Sequence, residues 1–312
     1  MKVFVTGGAG CIGSQLCLHM LNQGHDVVAY DNLLLGKEEF LKPSLKHPRF
    51  QFIKDDLLTD KTLSRRLDGM DLVFHLAANS DISLGRQRTD LDLQYGVIAT
   101  YNTLEAMRVA GVRDIIFSST SAIYGDAKIK PTPEDFGPLE PISLYGASKI
   151  AAESLCSAFA HNYGMKTWIY RFANLVGPNL THGVIFDFVH KLKANPRELS
   201  VLGNGTQKKS YLNVDDCIEG MLFGFKNAKS QVNIFNLASQ GVTPVKVIAE
   251  HVVKKMSPQA KVQFGSEDRG WVGDVPYTWL SPNKLEALGW TAHKTSDEAV
   301  FSAIDSAIQQ YA

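Results

Sequence analysis

Short β-branched runs alternate with longer amphipathic segments from the first residues to about Arg171, and this alternation constrains the fold more than any other feature of the chain. Strand-like runs fall at 3–6, 26–30, 50–53, 71–75, 114–118 and 166–170, with helical periodicity at 12–23, 61–67, 91–110 and 144–163. Parallel strands cannot be joined by hairpins, and helical crossovers join them instead. The expected fold is therefore α/β: a Rossmann-like doubly wound parallel sheet over residues 1–172, to which 211–238 return. After Arg171 the rhythm changes to a helix near 185–193, two strands around Gly203-Asn204-Gly205, a helix after Asp215, a strand at 232–236, and a last helix near 296–309. This predicts a smaller, discontinuous C-terminal α/β lobe over 173–312, with ligands bound at the carboxyl ends of the parallel strands.

The chain has 312 residues, 45% of them apolar, with 32 basic and 32 acidic side chains. A chain of that size buries a core without metal or disulfide staples. Balanced charge, with no long Lys/Arg run, speaks against nucleic acid or an acidic membrane surface as partner. Apolar runs such as 115–117 and Val232–Leu237 are far below the roughly 20 residues a membrane helix needs. The opening Lys2-Val3-Phe4-Val5-Thr6 reads as a strand rather than a secretory leader, so the expected location is the cytoplasm. Cys11, Cys17, Cys156 and Cys217 are scattered without zinc spacing, so no metal is expected. Cys11 opens a helix, where the dipole lowers a thiol pKa; packing of a small residue is the better account of it.

Directly after the first strand comes Thr6-Gly7-Gly8-Ala9-Gly10-Cys11-Ile12-Gly13. Gly7, Gly10 and Gly13 permit a tight turn, close approach of backbone amides to a pyrophosphate, and close packing of helix on sheet. Asp31 ends the second strand, where a carboxylate bonds ribose hydroxyls and repels a 2′-phosphate. The combination points to NAD rather than NADP. Asp56, after the third strand, is a candidate for the adenine amino group, and a solvated loop acid is the alternative.

Farther along, Ser143-Leu144-Tyr145-Gly146-Ala147-Ser148-Lys149 opens a helix. Residues four apart share a helix face, so Tyr145 and Lys149 lie together. A nearby ammonium and a cationic nicotinamide both favour the phenolate, drawing a phenol toward the range of a general base.

Together with His75-Leu76-Ala77-Ala78, the polar run 117–125, 171–178 (Arg-Phe-Ala-Asn-Leu-Val-Gly-Pro), Gly203-Asn204-Gly205-Thr206-Gln207, Val214-Asp215-Asp216, Gly273-Asp274 and Leu288-Gly289-Trp290, these motifs resemble the extended short-chain dehydrogenase/reductase family. Within it the nucleotide-sugar epimerase branch, and the UDP-glucose (UDP-galactose) 4-epimerases most of all, is the best match. The resemblance implies Tyr145 as base on the sugar 4-hydroxyl, Lys149 as holder of the nicotinamide ribose, and Thr120 as a hydroxyl on the same sugar oxygen. It implies NAD contacts from Gly7, Gly10, Cys11, Ile12, Gly13, Asp31, Asn32, Asp56, Leu57, Leu76, Ala77, Ala78, Ser118, Tyr145, Lys149 and Phe172. For the substrate it implies Ser80, Thr120, Ser121, Tyr145, Asn174, Lys209 and Arg269. A homodimer is implied too, through a four-helix bundle of 91–110 and 144–163.

Similar 4,6-dehydratases carry Asp-Glu after the Thr, and similar decarboxylases carry a Glu at the position of Ala122. This chain has Ser121 and Ala122, which cannot move those protons. The expected reaction is transient oxidation at sugar carbon 4 with hydride return to the opposite face. Alternatives are 4-epimerisation of UDP-glucuronate or a UDP-N-acetylhexosamine, and, less favoured, a dehydratase, a decarboxylase or a non-catalytic dinucleotide sensor. Three positions depart from the family pattern: Lys209 replaces an Arg, Gly96 an Asn, and Trp271 a second Arg, with Arg269 displaced nearby.

Overall fold

A computed structural model describes residues 1–271 and 273–312. Six strands, β1 (Lys2–Thr6), β2 (Asp26–Asp31), β3 (Phe50–Lys54), β4 (Leu72–His75), β5 (Asp114–Thr120) and β6 (Lys166–Phe172), join the strand Val232–Leu237 in one parallel sheet. From one edge the order is Val232–Leu237, β6, β5, β4, β1, β2, β3. β1 lies in parallel register with both β2 and β4, so the chain builds outward from β1 on one side and then on the other. The carboxyl ends of β1 and β4 mark the switch point where open α/β sheets take ligands.

The chain divides into two compact units. The first comprises Met1–Ile123, Ser143–Arg171 and Met221–Phe235. Its central strands are buried on both faces, all four residues of β4 included, which is why their sequences are apolar runs without alternation. Phe4, Val73, Ile115, Phe117 and Ile169 of the sheet pack with Leu104, Met107, Ala152 and Cys156 from the helices Ala99–Ala110 and Leu144–Tyr163.

The second unit comprises Tyr124–Ile142, Phe172–Gly220 and Asn236–Ala312. Phe188 and Leu192 of helix Val184–Ala194, Ile248 and Val252 of Val245–Met256, and Val300 and Ile304 of Ser296–Tyr311 form its core. The last of these helices is fixed at its start by a reciprocal capping box between Thr295 and Glu298.

Three details depart from the sequence reading. The segment 91–110 is not one α-helix: a π-helical turn, Leu93–Ile98, precedes Ala99–Ala110. The segment 61–67 contains a single α-helical turn, Leu63–Arg66. The two strands flanking Gly203-Asn204-Gly205 do not pair with each other. Glu198–Val201 pairs in parallel with Lys261–Phe264, whereas Lys208–Lys209 pairs with Thr243–Pro244 and Tyr277–Thr278. Among the described residues no helix is long and apolar enough to cross a membrane, and all four cysteines are free thiols.

Candidate active site

β1 ends at Thr6 and the chain turns at once into the helix Cys11–Asn22. Gly7 has φ +70°, and a Cβ there would lie 2.8 Å from the Ala77 backbone nitrogen. A Cβ at Gly13 would collide with the Gly7 carbonyl. Glycine at both places lets the helix start hard against the sheet. Gly10 caps that helix with no side-chain acceptor, which suits a helix N-terminus to an external anion. Cys11 sits in the first turn, but burial pushes its thiol up to about 12, so packing outweighs the dipole there.

Asp31 closes β2 and is 8% exposed. Its Oδ2 accepts from the Ala9 amide at 2.9 Å and its Oδ1 from the Leu33 amide at 2.8 Å, so the acid braces the glycine turn. Burial pushes its carboxyl above the ordinary range, and the two amides oppose that shift. Each oxygen keeps lone-pair capacity for a ribose hydroxyl. The open helix start and the acid beside it fit a dinucleotide whose ribose carries no phosphate.

Around this turn, Leu76 donates its amide to the Thr6 carbonyl at 3.1 Å and Ala77 its amide to Thr6 Oγ1 at 3.3 Å, with Ala78 following in the same loop. Asp56 belongs to a network: Asn32 Nδ2 and the Tyr95 hydroxyl both donate to its Oδ2, at 2.9 and 3.1 Å. Leu57 is a core side chain whose carbonyl accepts from Asn102 at 2.8 Å, and Ile12 is half-buried in the first helical turn.

The helix Leu144–Tyr163 is capped by Ser143, whose Oγ accepts from the Gly146 amide at 3.1 Å. The cap fixes Tyr145 in the first turn, and Lys149 follows one turn later on the same face. Lys149 is 2% exposed, its Nζ donates to the Ser118 carbonyl at 2.6 Å, and it lies 5.9 Å from the centre of the Tyr145 ring. Burial lowers this amine to about 8, while Cys156, Glu153 and Asp92 hold it up. Tyr145 shares a hydrogen bond with Thr120, whose Oγ1 also accepts from the Ala122 amide at 3.1 Å. Ser121 begins the short 3₁₀ turn Ser121–Tyr124 that follows Thr120.

The sequence reading expected the amine and a cationic nicotinamide together to favour the phenolate. Without the nicotinamide charge, burial pushes Tyr145 up to about 12, the Thr120 bond lowers it, and the Asp92 charge raises it further. The phenol therefore rests protonated until a positive charge arrives beside it.

Several partners of this pair carry no local sequence signal. Glu153, one turn beyond Lys149, accepts from Arg171 Nη2 at 2.8 Å and Nε at 3.1 Å, and from Ser119 Oγ. His75 is fully buried between Thr6 Oγ1 (2.7 Å) and Thr100 Oγ1 (3.0 Å). Burial, aided by the Lys149 charge, lowers it to about 3 and keeps it neutral. Ser118 Oγ donates to the His75 carbonyl at 3.2 Å. Gly96 stands where the family has Asn because space requires it: a Cβ there would meet Ser148 Oγ, and would lie 2.7 Å from Ser148 Cβ.

Ser80 is exposed in the loop after β4. In the second unit Phe172 is buried, and Asn174 donates its amide to the Ser210 carbonyl at 3.1 Å. Lys209 Nζ lies 2.6 Å from Asp274 Oδ1, and Arg269 donates to the Asp274 carbonyl at 2.8 Å and to Asp126 Oδ2 at 3.0 Å. Asp274 thus gathers the two cations singled out from the sequence, and Trp271, exposed, contributes no charge.

A doubly wound sheet, a glycine turn braced by an acid and a buried Tyr/Lys pair define a dinucleotide-dependent enzyme that moves hydrogen at an alcohol carbon. The profile of the NAD dependent epimerase/dehydratase family matches residues 3–238, and the chain belongs to that family, with NAD as its cofactor. An uncharacterized UDP-glucose epimerase of Bacillus subtilis (strain 168) is 33% identical over 299 residues, 92% of each chain. A crystal structure of a UDP-galactose 4-epimerase superposes with a TM-score of 0.89 at 37% identity, covering 100% of both chains. The UDP-glucuronic acid 4-epimerase of Bacillus cereus, in complex with UDP-glucuronic acid and NAD, is similar with a TM-score of 0.88 at 27% identity, again over 100% of both.

Proposed function

We infer that the protein is an NAD-dependent nucleotide-sugar 4-epimerase, an isomerase whose substrates are UDP-glucose and UDP-galactose. The observation that carries this reading is the Tyr145, Thr120 and Lys149 cluster followed by Ser121 and Ala122, positions without an acid. Bound NAD supplies a hydride acceptor and a positive charge. Under that charge the Tyr145 phenolate takes the proton of the sugar 4-hydroxyl, Thr120 holds the same oxygen, and Lys149, anchored on Ser118, keeps the phenol ionised. With no second acid to eliminate water or expel a carboxyl group, the keto sugar turns over and regains its hydrogen on the other face.

Lys209, Arg269 and Asn174 are proposed to bind the substrate diphosphate, with Ser80 and Ser121 beside the sugar. Lys209 is a point charge and lacks the bidentate fork of the arginine it replaces. The proposed assembly is a homodimer through the helices Ala99–Ala110 and Leu144–Tyr163, which is supported by Tyr101, Val109, Leu144 and Tyr163, all large and exposed. Four free thiols suit the reducing cytoplasm, the proposed location.

The deciding experiment incubates the purified protein, and Tyr145→Phe, with UDP-glucose, UDP-galactose, UDP-glucuronate and UDP-N-acetylglucosamine, and follows the new stereoisomer. Conversion of the first two by the wild type alone supports the reading. No isomer from any of them, or normal turnover by the variant, overturns it.

A further inference from the structure

Among the buried acids that the proposed reaction does not use, Asp92 differs in its bonding. Asp92, just before the π-helical turn Leu93–Ile98, is 2% exposed. Its Oδ1 accepts from Asn79 Nδ2 at 3.0 Å, while its Oδ2 is buried without any hydrogen-bond partner. An acid oxygen is rarely left so, because removal from water without a partner is costly. The surroundings make room for it: a Cβ at Gly85, in the helix Ile82–Gln87, would strike Asp92 Oδ2.

Two sets of contacts lead from Asp92 to the working groups. Asn79, also 2% exposed, donates to the Asp81 carbonyl at 2.9 Å and accepts from the Asp81 amide at 3.2 Å, so the acid pins the loop that carries Ser80. One turn after Asp92, Gly96 packs on Ser148, whose Oγ donates to the Tyr145 carbonyl at 2.8 Å. We propose that Asp92 is a positioning residue of the active site, one that clamps the loop after β4 through Asn79 and holds a negative charge behind Tyr145 and Lys149. This rests on the reading of Tyr145 as base.

The charge acts on both members of the pair in the same sense. It raises Tyr145 and raises Lys149, and Lys149 in turn lowers Asp92, whose carboxyl burial otherwise pushes up. Cys156 and Glu153 also hold Lys149 up, but Asp92 is the charge that acts on Tyr145 as well. Glu153 is bound by Arg171 and Ser119, His75 is neutral, Asp81 caps its own helix through the Ser83 amide, and Arg86 is exposed. An anion near a phenol and an amine shifts both ionisations upward, so removing it moves both limbs of a bell-shaped rate profile downward.

The test compares kcat/KM against pH for the wild type and Asp92→Asn, an isostere that keeps an oxygen for Asn79 while removing the charge. Both limbs should move to lower pH by about half a unit or more. Asn79→Ala removes the one hydrogen bond that favours the ionised Asp92 carboxyl, so it should lower the maximum and move the limbs in the same direction as Asp92→Asn. A profile of Asp92→Asn that superimposes on the wild type after scaling overturns the proposal. Should that variant fail to fold, the Asp92 carboxyl is titrated in the wild type by carbon-13 NMR: ionisation below the acid limb supports the charge, and a carboxyl still protonated at the rate maximum overturns it. Normal turnover by Tyr145→Phe would defeat the base reading itself, whereas an inactive Tyr145→Phe beside an unshifted Asp92→Asn defeats only this inference.

Discussion

Lys149 reaches from the second turn of its helix to the carboxyl end of strand β5 and donates to the Ser118 carbonyl at 2.6 Å, with its amine almost wholly out of water. That bond ties the helix carrying Tyr145 to the strand carrying Thr120. Lys149→Met keeps the length and loses the charge. Its kcat/KM should fall by about 10² to 10⁴ with no loss of thermal stability, since a buried amine is itself costly to fold. Steady-state rates together with a melting curve check both halves, and near-normal turnover would remove Lys149 from the mechanism.

Asp31 offers a test of cofactor choice. Asp31→Asn should weaken NAD binding by roughly tenfold or more, the worth of a hydrogen bond to a charged acceptor, and should narrow the preference over NADP. The measurement is the NAD released on denaturing the purified protein, followed by titration calorimetry with both dinucleotides. Unchanged retention would show that Asp31 serves only the amides of Ala9 and Leu33.

His75 gives the folded state an acid limit. Its folded pKa is lowered from 6.5 to about 3, so below 6.5 the unfolded chain takes up a proton that the folded chain refuses. This contribution to stability is intact above pH 6.5 and erodes as the pH falls toward 3, by about 1.4 kcal/mol per pH unit. His75→Gln should be less stable at neutral pH yet show a flatter dependence in that window. Urea midpoints measured as a function of pH check this, and parallel curves for the two proteins would refute it.

Gly96 and Ser148 form the contact that excludes the family's usual asparagine. Gly96→Ala should destabilise the fold by about 1–3 kcal/mol through overpacking. Adding Ser148→Gly removes both atoms in the way and should restore part of the loss, less about 1 kcal/mol for a glycine inside a helix. A double-mutant cycle on melting temperature measures the coupling, and additive effects would mean the helices part at no cost.

The central sheet was legible because β4 and the first half of β5 are buried on both faces and so appear as short apolar runs. The glycine turn was legible because the spacing of Gly7, Gly10 and Gly13 encodes it locally, and the shared face of Tyr145 and Lys149 follows from helix geometry. What escaped was non-local or subtle in period. Nothing near 198–201 announces a partner sixty residues on, and an apolar stripe does not distinguish the π-helical turn Leu93–Ile98 from ordinary helix. Glu153 and Arg171 lie on different elements, as do Lys209 and Asp274, so only folding reveals them as pairs. The upward pull of burial on Tyr145 in the protein alone is not legible, because sequence shows which charges are near but not how much water is lost.

The chain passes between its two compact units in six successive segments, one of which, Tyr124–Ile142, separates Thr120 from Tyr145. No single cut or splice can therefore release either unit intact or exchange it for a relative's. Homologous recombination at one junction would mix parts of both. A change of specificity by wholesale exchange of one unit would thus need several junctions at once, and substitutions made in place need none.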